Sequence, residues 1–556
     1  MNTRTIRFTW QAFAIAGALY VVISTAAHGQ DQNPYVAHPV AAPGEWDPYA
    51  FALEQRRLYG TLINDVSRMS DDHVLTFPLT AREEEILNED VVCPTCEDFS
   101  PPVLGVQLDT DISADFSRVN INEVDYEGGT FEFGLLRHIR DGRLVWTTAV
   151  HSPNADALRL RFARVSLPET VELFIYTDQL EVHGPYTTND INEFGDIWTE
   201  LVDGEVAFVE LRTRGLGTQA DLDQTQFRLV GISHLRNHPF PQREEARAEK
   251  SSSCSEFINS NCDTEVDWPL VDIAESSIAR LIYTDDDNGK ITACTGGLIN
   301  NVRNDQTPYL LTANHCIGSP TEAASALFVF RFQVPCNDSR VADSSNASGA
   351  RNGYSGFPQV SGSKLLATTS LGTTDMTLLE LDKAAPAGSW FMGWDVSTNY
   401  AAQTGLELFR VSHPWGWTSK YSTHLVTVQN QNAQKIQTYP KVGRADRGSS
   451  GSPVMLETGY IIGVASTKYA AGVCNGINEG NLYHAMPKFE KYLGYGPNTT
   501  TPPDNLGCST GIIVGDDDDF TNGLGGFGVF AVLTLLGFVG LRFSSQHAMT
   551  LGLRAS

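Results

Sequence analysis

Short runs in which apolar and polar residues alternate, separated by tight-turn pairs, constrain this chain more than any other feature. Residues 158–162 alternate leucine or phenylalanine with arginine, and residues 171–176 and 206–211 are two more strand-like runs. Pairs such as Asp141-Gly142 lie between these runs. Because successive side chains of a strand point to opposite faces, a period of two predicts strands joined by turns. The pattern predicts an all-β protein that includes a sandwich-like domain at about 103–215.

A charged stretch interrupts this pattern before it resumes. Residues 239–253 have the sequence PFPQREEARAEKSSS, with neither the helical nor the strand period. From Cys254 to about Tyr495 strands and turns recur, and residues 280–293 form a hairpin pattern around an Asn-Gly pair. The chain has 556 residues, more than one hydrophobic core organises, so we expect two to four structural units. The stretch at 239–253 is a predicted boundary, and a protease would cut there.

Both ends of the chain carry apolar runs typical of targeting segments. Basic residues, an apolar run and the small residues around Ala27-His28-Gly29 predict a signal peptide over 1–29. A membrane anchor is the alternative, but this run is shorter than the roughly 20 residues that span a bilayer. A second run at 523–542 is long enough to span, with acidic residues before it and Arg542 at its end. A linker at 496–522 precedes it, and a tail at 543–556 follows it.

The net charge excludes one class of partner. The chain has 39 Lys and Arg residues against 66 Asp and Glu residues, a net charge of −27. Nucleic acid would be repelled by such a chain, so we expect no nucleic-acid partner.

Nine cysteines in an exported chain indicate disulfides. Six of them lie from Cys254 to Cys474, and six cysteines allow fifteen pairings by sequence alone. Cys93 and Cys96 form a CPTC pair, for which a local disulfide is favoured over a redox or zinc site because two further zinc ligands are missing nearby. Cys508 has no evident partner. We expect no metal and no cofactor.

Three motifs within 254–495 supply a base, a carboxylate and a nucleophile. They are LLTANHC at 310–316, TTDMTLLEL at 373–381 and GSSGSP at 448–453. A serine hydroxyl is a weak nucleophile, so it needs an imidazole to take its proton and a buried carboxylate to orient that imidazole. Each motif alone is common, but the order His, Asp, Ser is that of the chymotrypsin-type double barrel. Together they predict a serine hydrolase.

These motifs resemble those of trypsin-like serine proteases. Thr312-Ala313-Asn314-His315-Cys316 is similar to the T-A-x-H-C signature, and residues 448–453 resemble G-D-S-G-G-P with Ser450 as the nucleophile. The greatest similarity is to the bacterial lysyl endopeptidase branch, whose further marks here are residues 294–301, residues 375–381, Gly393-Trp394-Asp395 and His413-Pro414. The resemblance covers roughly 254–495, and about 128–211 is less specifically similar to the propeptide of that branch. It implies two six-stranded antiparallel β-barrels with the site in the cleft between them.

The resemblance also implies what each residue does. Ser450 attacks the peptide carbonyl, His315 takes its proton and returns it to the leaving amine, and Asp375 orients His315. The backbone N–H groups of Gly448 and Ser450 form the oxyanion hole. The implied disulfides are Cys254–Cys474, Cys262–Cys336 and Cys294–Cys316, with Cys93–Cys96 as a local pair. Domains implied in this way are a propeptide at 30–250 and a protease domain at 251–495.

Two positions depart from the family pattern. Trypsin has an Asp before the nucleophile, which pairs with the freed N-terminus, whereas this chain has Ser449, so we expect the prodomain to control activity or assist folding instead. Lysyl endopeptidases have an Asp in the primary pocket where counting gives Asn481, and Asp446 could partly substitute for it. Three preferences for the residue before the scissile bond stay open. The pocket could select Lys or Arg, or an apolar or broad range of side chains. It could also select acidic side chains, because Arg444, Arg447 and Lys468 lie in neighbouring segments.

The C-terminal run suggests how the protein is sorted. Gly525-Gly526, the apolar run and Arg542 resemble the Gly-Gly sorting signals of Gram-negative exported proteases, although the tail at 543–556 is unusual for them. We expect an extracellular or surface location, with secretion machinery and an intramembrane sorting protease as partners, or else a permanent anchor.

The prediction is therefore a monomeric serine endopeptidase that acts on proteins or peptides. The first alternative is a surface-displayed binding protein with an inactive protease fold. The second is an exported ester hydrolase.

Overall fold

The computed structural model describes residues 35–92, 101–236, 257–261, 270–333, 356–427, 434–469 and 476–494. They belong to a compact unit, Met1–Leu506, and a second unit, Gly507–Ser556, lies outside the described residues. The predicted signal peptide, the boundary at 239–253, the C-terminal run and every cysteine except Cys294 and Cys316 also lie outside them. Among the described helices, none has the length and apolar character needed to cross a membrane.

The described chain begins with small elements, which are β1 (Val36–Ala37), β2 (Val40–Ala41), α1 (Pro48–Tyr59), β3 (Val74–Thr76) and α2 (Ala81–Val92). Longer strands then form two sheets: β4 (Val103–Asp115), β5 (Gly129–Phe131), β6 (Gly134–His138), β7 (Leu144–His151), β8 (Ala157–Ser166), β9 (Val171–Tyr176), β10 (Val182–Tyr186), β11 (Ile197–Trp198), β12 (Val202–Asp203), β13 (Val206–Thr213) and β14 (Gln226–Leu235), with α3 (Gln219–Asp223) before β14.

These strands pack as two layers around one apolar core. One sheet has the order β10-β9-β13-β7-β6-β5, and the other places β8, β14 and β4 side by side. Buried Trp146 from the first sheet stacks edge-on against Phe227 from the second. The sandwich-like domain predicted from the period-two runs extends to Leu235, because β14 is the central strand between β8 and β4.

Two β-barrels follow. The first uses α4 (Val271–Ser277), β16 (Ile278–Thr284), β17 (Lys290–Leu298), β18 (Tyr309–Thr312), α5 (Pro320–Ser325), β19 (Leu327–Phe330), β20 (Gln359–Ser361), β21 (Ser363–Thr369) and β22 (Met376–Leu381). The second uses β15 (Ile258–Asn259), β23 (Trp390–Phe391), β24 (Trp394–Asp395), β25 (Glu407–Ser412), β26 (Lys420–Val426), β27 (Lys435–Val442), β28 (Pro453–Met455), β29 (Ile461–Lys468), β30 (Ile477–Asn481) and α6 (Leu482–Leu493).

Strand pairing closes the second barrel and nearly closes the first. In the second, the order β29-β28-β25-β26-β27-β30 returns to β29, which is a closed ring of six strands. In the first, β17 pairs with β16 and β18, β18 with β22, and β22 with β21, while β19 pairs with β16 and β20. The all-β double barrel preceded by a β-rich domain is confirmed. The hairpin predicted at 280–293 is also confirmed, as β16 and β17.

The N-terminal region is joined to the barrels by backbone hydrogen bonds. Strand β4 pairs antiparallel with β17, so that Val106 lies opposite Lys290 and Val103 opposite Thr292. Strand β1 pairs with β24, and β2 pairs with β23. The sandwich and the first barrel therefore share one sheet of twelve strands.

The arginines of β8 show that both faces of this strand are used. Arg159 is 2% exposed, although it alternates with apolar residues in the sequence. Its guanidinium donates to the carbonyl oxygens of Thr199 and Ser325 and, at 2.6 Å, to the hydroxyl of Ser361. Because Ser325 and Ser361 belong to the first barrel, Arg159 links the N-terminal sandwich to that barrel.

We predict that Arg159→Ala lowers the free energy of unfolding of the full-length chain by about 2–4 kcal/mol, because it leaves buried carbonyl groups without a donor. Arg161→Ala is the matched control. The Arg161 side chain is 40% exposed and pairs with Asp196, so we expect its loss to cost less than about 1 kcal/mol. Denaturant unfolding of both variants measures the difference, and equal losses would contradict the linking role of Arg159.

Candidate active site

Strand pairing in the first barrel brings His315 and Asp375 together. His315 follows the last residue of β18, and Asp375 precedes the first residue of β22. These strands are antiparallel, with Thr312 opposite Thr377, so the end of one lies beside the start of the other. The His315 ring nitrogen Nδ1 lies 2.8 Å from Asp375 Oδ2, and its backbone N–H donates to Oδ1 at 3.0 Å. Both carboxylate oxygens thus contact His315.

Asp375 is fully buried, and its carboxylate is held from both barrels. Ser466 of β29 donates its hydroxyl to Oδ2, and the ammonium of Lys435 of β27 lies 3.8 Å from the same oxygen. Burial alone would raise the pKa of this carboxyl. The hydrogen bond and charge of His315, together with Ser466 and Lys435, outweigh burial and hold the Asp375 pKa below its ordinary value. The carboxylate therefore stays ionised at neutral pH.

The predicted nucleophile Ser450 lies in the loop before β28, in the second barrel. Its carbonyl oxygen accepts from the backbone N–H of Thr295 in β17, at 2.9 Å. The next residue, Gly451, has a φ of +80°, and a Cβ atom there would lie 2.4 Å from the Thr295 carbonyl oxygen. Gly451 is thus required for the close approach of this loop to the first barrel.

The loop before Ser450 forms a tight turn at Gly448. Gly448 has a φ of +84°, and a Cβ atom there would lie 2.7 Å from the His413 carbonyl oxygen. The Gly448 carbonyl oxygen accepts from the Thr295 hydroxyl, which also accepts from the His413 backbone N–H. Ser449 contacts the Ser412 hydroxyl at 3.0 Å. The residue directly before Ser450 is therefore a serine paired with a second serine, and not an aspartate.

A disulfide fixes the loop that carries His315. Cys294 in β17 is bonded to Cys316, the residue after His315. Both cysteines are buried. The remaining predicted disulfides involve residues outside the described part of the chain.

The second ring nitrogen of His315, Nε2, is not used in the contact with Asp375. Nε2 is buried and makes no hydrogen bond with the residues that the structure describes. In unliganded hydrolases the bond from the nucleophile to the base is often long and shortens only when substrate binds. The arrangement provides an oriented imidazole between the two barrels.

The two predicted pocket residues lie at opposite ends of β29. Asp446 accepts from the ammonium of Lys468 at 2.8 Å. Asn481 caps α6 by accepting from the Tyr483 N–H, and it donates to Asn399. Asn481 lies opposite Gly463 of β29. Gly463 precedes Lys468, the partner of Asp446, by five residues, which is roughly 16 Å along the strand.

The basic residues near Asp446 stack on aromatic rings. The guanidinium of Arg444 lies 4.3 Å from the ring centre of Phe257, and that of Arg447 lies 5.1 Å from the ring centre of Trp415. Arg447 also donates to the Pro101 carbonyl oxygen at 3.4 Å. This last contact brings the N-terminal region to the loop that carries Ser450.

Sequence reasoning missed Ser466 and Lys435, the two side chains of the second barrel that contact Asp375. Neither lies in a motif, and they come from different strands of the second barrel. Sequence alone marked His413 only as part of His413-Pro414. In the structure its buried ring contacts the Trp417 carbonyl oxygen at 2.7 Å, and its backbone carbonyl oxygen lies against Gly448.

Comparison with known proteins supports the resemblance. Residues 248–483 match the family model of the lysyl endopeptidase C-terminal domain. Lysyl endopeptidase from Pseudomonas aeruginosa is 24% identical over 309 residues, which cover 54% of this chain and 62% of that protein. The chain thus spans less than two thirds of the length of this relative.

Solved structures give weaker similarity. The serine endoprotease from Yersinia pestis is 12% identical with a TM-score of 0.28, covering 40% of this chain and 64% of that chain. The active form of the Rv3671c protease from M. tuberculosis is 14% identical with a TM-score of 0.26. The match covers 42% of this chain and 86% of that chain. The strand pairings, rather than these scores, establish the two barrels.

We predict a pH dependence of stability that originates at His413. Burial, with the nearby charges of Arg280 and Lys420, lowers the His413 pKa from 6.5 to about 3, against the hydrogen bond to Trp417. The folded state therefore holds a neutral ring, whereas the unfolded chain protonates below pH 6.5. This stabilisation is complete above pH 6.5 and is lost as the pH falls towards 3, at up to about 1.4 kcal/mol per pH unit.

The test compares His413→Gln, which cannot titrate, with the wild-type chain. We expect a shallower dependence of the unfolding free energy on pH between 4 and 6.5 in the variant, measured by denaturant unfolding. His151→Gln, at a half-buried position on β7, serves as the control. Parallel curves for His413→Gln and the wild type would show that His413 does not cause the dependence.

Proposed function

We propose that this protein is an exported serine endopeptidase that hydrolyses peptide bonds through an acyl-enzyme. The observation that carries the proposal is the 2.8 Å contact of His315 with the buried Asp375, next to the loop of Ser450 from the other barrel. The match of residues 248–483 to the lysyl endopeptidase C-terminal domain supports it independently.

The proposed mechanism follows from these contacts. The Asp375 carboxylate accepts a hydrogen bond from the Nδ1–H of His315 and stays ionised, which leaves Nε2 as the basic nitrogen. Nε2 takes the proton of the Ser450 hydroxyl as its oxygen attacks the substrate carbonyl. The backbone N–H groups of Gly448 and Ser450 stabilise the oxyanion, His315 gives its proton to the leaving amine, and water then cleaves the acyl-enzyme by the same steps in reverse.

The test is covalent labelling and peptide cleavage by the enzyme matured from the full-length chain. We expect a fluorophosphonate to label Ser450, and Ser450→Ala and His315→Ala each to lower turnover by roughly 10⁴-fold or more while the protein stays folded. Ser452→Ala, in the same loop, is the control and should keep the label. Unchanged hydrolysis in Ser450→Ala would overturn the assignment.

A preference for Lys or Arg before the scissile bond is part of this proposal. It is supported by the lysyl endopeptidase match and by Asp446 near the nucleophile loop. The Asp446 charge is already paired with Lys468, so a substrate cation would share this carboxylate. A peptide library in the same assay decides: cleavage after Glu or Asp would overturn the preference and leave the triad untouched.

We also propose that residues 30–250 are a propeptide that covers part of the active site until it is cut off. Strand β4 lies along β17, the Ala293 N–H donates to the Pro102 carbonyl oxygen, and Arg447 contacts Pro101. These contacts bring the start of β4 beside the loop of Ser450 and support the proposal that the propeptide restricts access to it.

We expect maturation to cut the chain within 243–253, after Lys250, because a basic pocket would select that residue. Mass spectrometry of the mature N-terminus checks this, and a mature enzyme that starts near Gln30 would refute the propeptide. The intact mass of the mature enzyme also shows whether the C-terminal run has been removed, as the proposed sorting requires. Residues 543–556 on the mature enzyme would make 523–542 a permanent anchor.

A surface binding protein with an inactive protease fold is the second candidate. The presence of His315, Asp375 and Ser450 argues against it, since inactive relatives usually lack one member. An ester hydrolase would take the label but would leave peptides uncut, so the same assay separates these classes.

A further inference from the structure

Lys435 is a charged side chain that the proposed mechanism does not use, although its ammonium lies beside the carboxylate of Asp375. Its ammonium is 3.8 Å from Asp375 Oδ2 and donates to the Ser466 hydroxyl, which itself donates to that same oxygen. The Lys435 side chain is 20% exposed. Lys435 comes from β27 of the second barrel, whereas His315 and Asp375 lie next to strands β18 and β22 of the first.

We propose that Lys435 is a positioning residue that sets the basicity of His315 by offsetting part of the charge of Asp375. The inference rests on the proposed function and deepens it. The Asp375 carboxylate stabilises the protonated form of His315 through their 2.8 Å contact. A cation on the far side of the same carboxylate opposes this stabilisation, because it repels the imidazolium. His315 then stays a neutral base down to a lower pH.

The other charged groups facing Lys435 leave Asp375 as its main partner. Glu479 is a second negative charge that acts on Lys435, but Glu479 is fully buried and paired with Arg410 at 2.6 Å, and it accepts from Thr438. His424 lies near Arg410, and burial with the Arg410 charge lowers its pKa well below the ordinary value, so its ring is neutral.

Titration of Lys435 is consistent with this geometry. Burial lowers the Lys435 pKa, while the charges of Asp375 and Glu479 act in the opposite direction. A buried ammonium beside a carboxylate is kept because the two charges stabilise each other. Ser466, which contacts both groups, completes a contact from the second barrel to the first.

The test is the pH dependence of kcat/KM of the enzyme matured from the full-length chain. We expect Lys435→Met to move the acid limb to higher pH by about one unit, because the His315 imidazolium loses a repelling neighbour. Lys435→Arg keeps the charge and should leave the limb near its wild-type position. Lys488→Met, an exposed charge deletion on α6, is the matched control for a change in net charge.

A merely structural role gives a different result. If Lys435 only holds Ser466 in place, Lys435→Met lowers the plateau of kcat/KM and leaves the acid limb where it was, and this result would overturn the proposal. Lys435→Gln keeps a hydrogen-bond donor without the charge. It must shift the limb as Lys435→Met does, and it replaces that variant if Lys435→Met does not fold.

A second measurement does not depend on activity. In the full-length Ser450→Ala chain, the His315 imidazole is titrated by NMR of labelled histidines, with its resonance assigned by its loss in His315→Ala. We expect Lys435→Gln to raise the His315 pKa by about one unit in this background. If Lys435→Gln raises the His315 pKa but the wild-type chain has no peptidase activity, the proposed function alone is refuted. If Lys435→Gln leaves the His315 pKa unchanged, the role of Lys435 alone is refuted.

Discussion

The buried carboxylate of Asp375 is the constraint on which the site depends. An ionised carboxylate in a protein interior needs hydrogen bonds and a counter-charge, because burial removes its hydration. Here His315 supplies two contacts from the first barrel, while Ser466 and Lys435 supply a hydroxyl and a cation from the second. The two barrels must therefore dock in one relative position, and that position also brings the Ser450 loop to Thr295.

The N-terminal region is built into this arrangement rather than attached to it. Strand β4 extends the sheet of the first barrel, and Arg159 donates into that barrel from a buried position. Short strands β1 and β2 pair with β24 and β23, beside the second barrel. This region covers the edge of β17, and its residue Pro101 accepts from Arg447 in the loop before Ser450.

Much of the fold and part of the site could be predicted from the chain itself. Period-two runs and Asn-Gly or Asp-Gly turns are local properties, so they indicated strands at 171–176, 206–211 and 280–293, where strands lie. The motifs identified His315 and Asp375, which strand pairing brings into contact, and Ser450, whose backbone is hydrogen-bonded to the first barrel. Alternation did not reveal that Arg159 is buried, because the partner on the polar face of β8 is another domain.

The sequence by itself therefore determined the strands, the turns that require glycine and the three residues proposed for catalysis, since each depends on neighbours along the chain. Only the tertiary structure decided which side chains surround them. Ser466 and Lys435 reach Asp375 because the second barrel closes and docks on the first, and no local pattern marks either residue. Asn481, a pocket candidate by counting, and Asp446, its possible substitute, contact opposite ends of β29. Contacts of this kind depend on barrel closure and strand register, and these are properties of the whole chain.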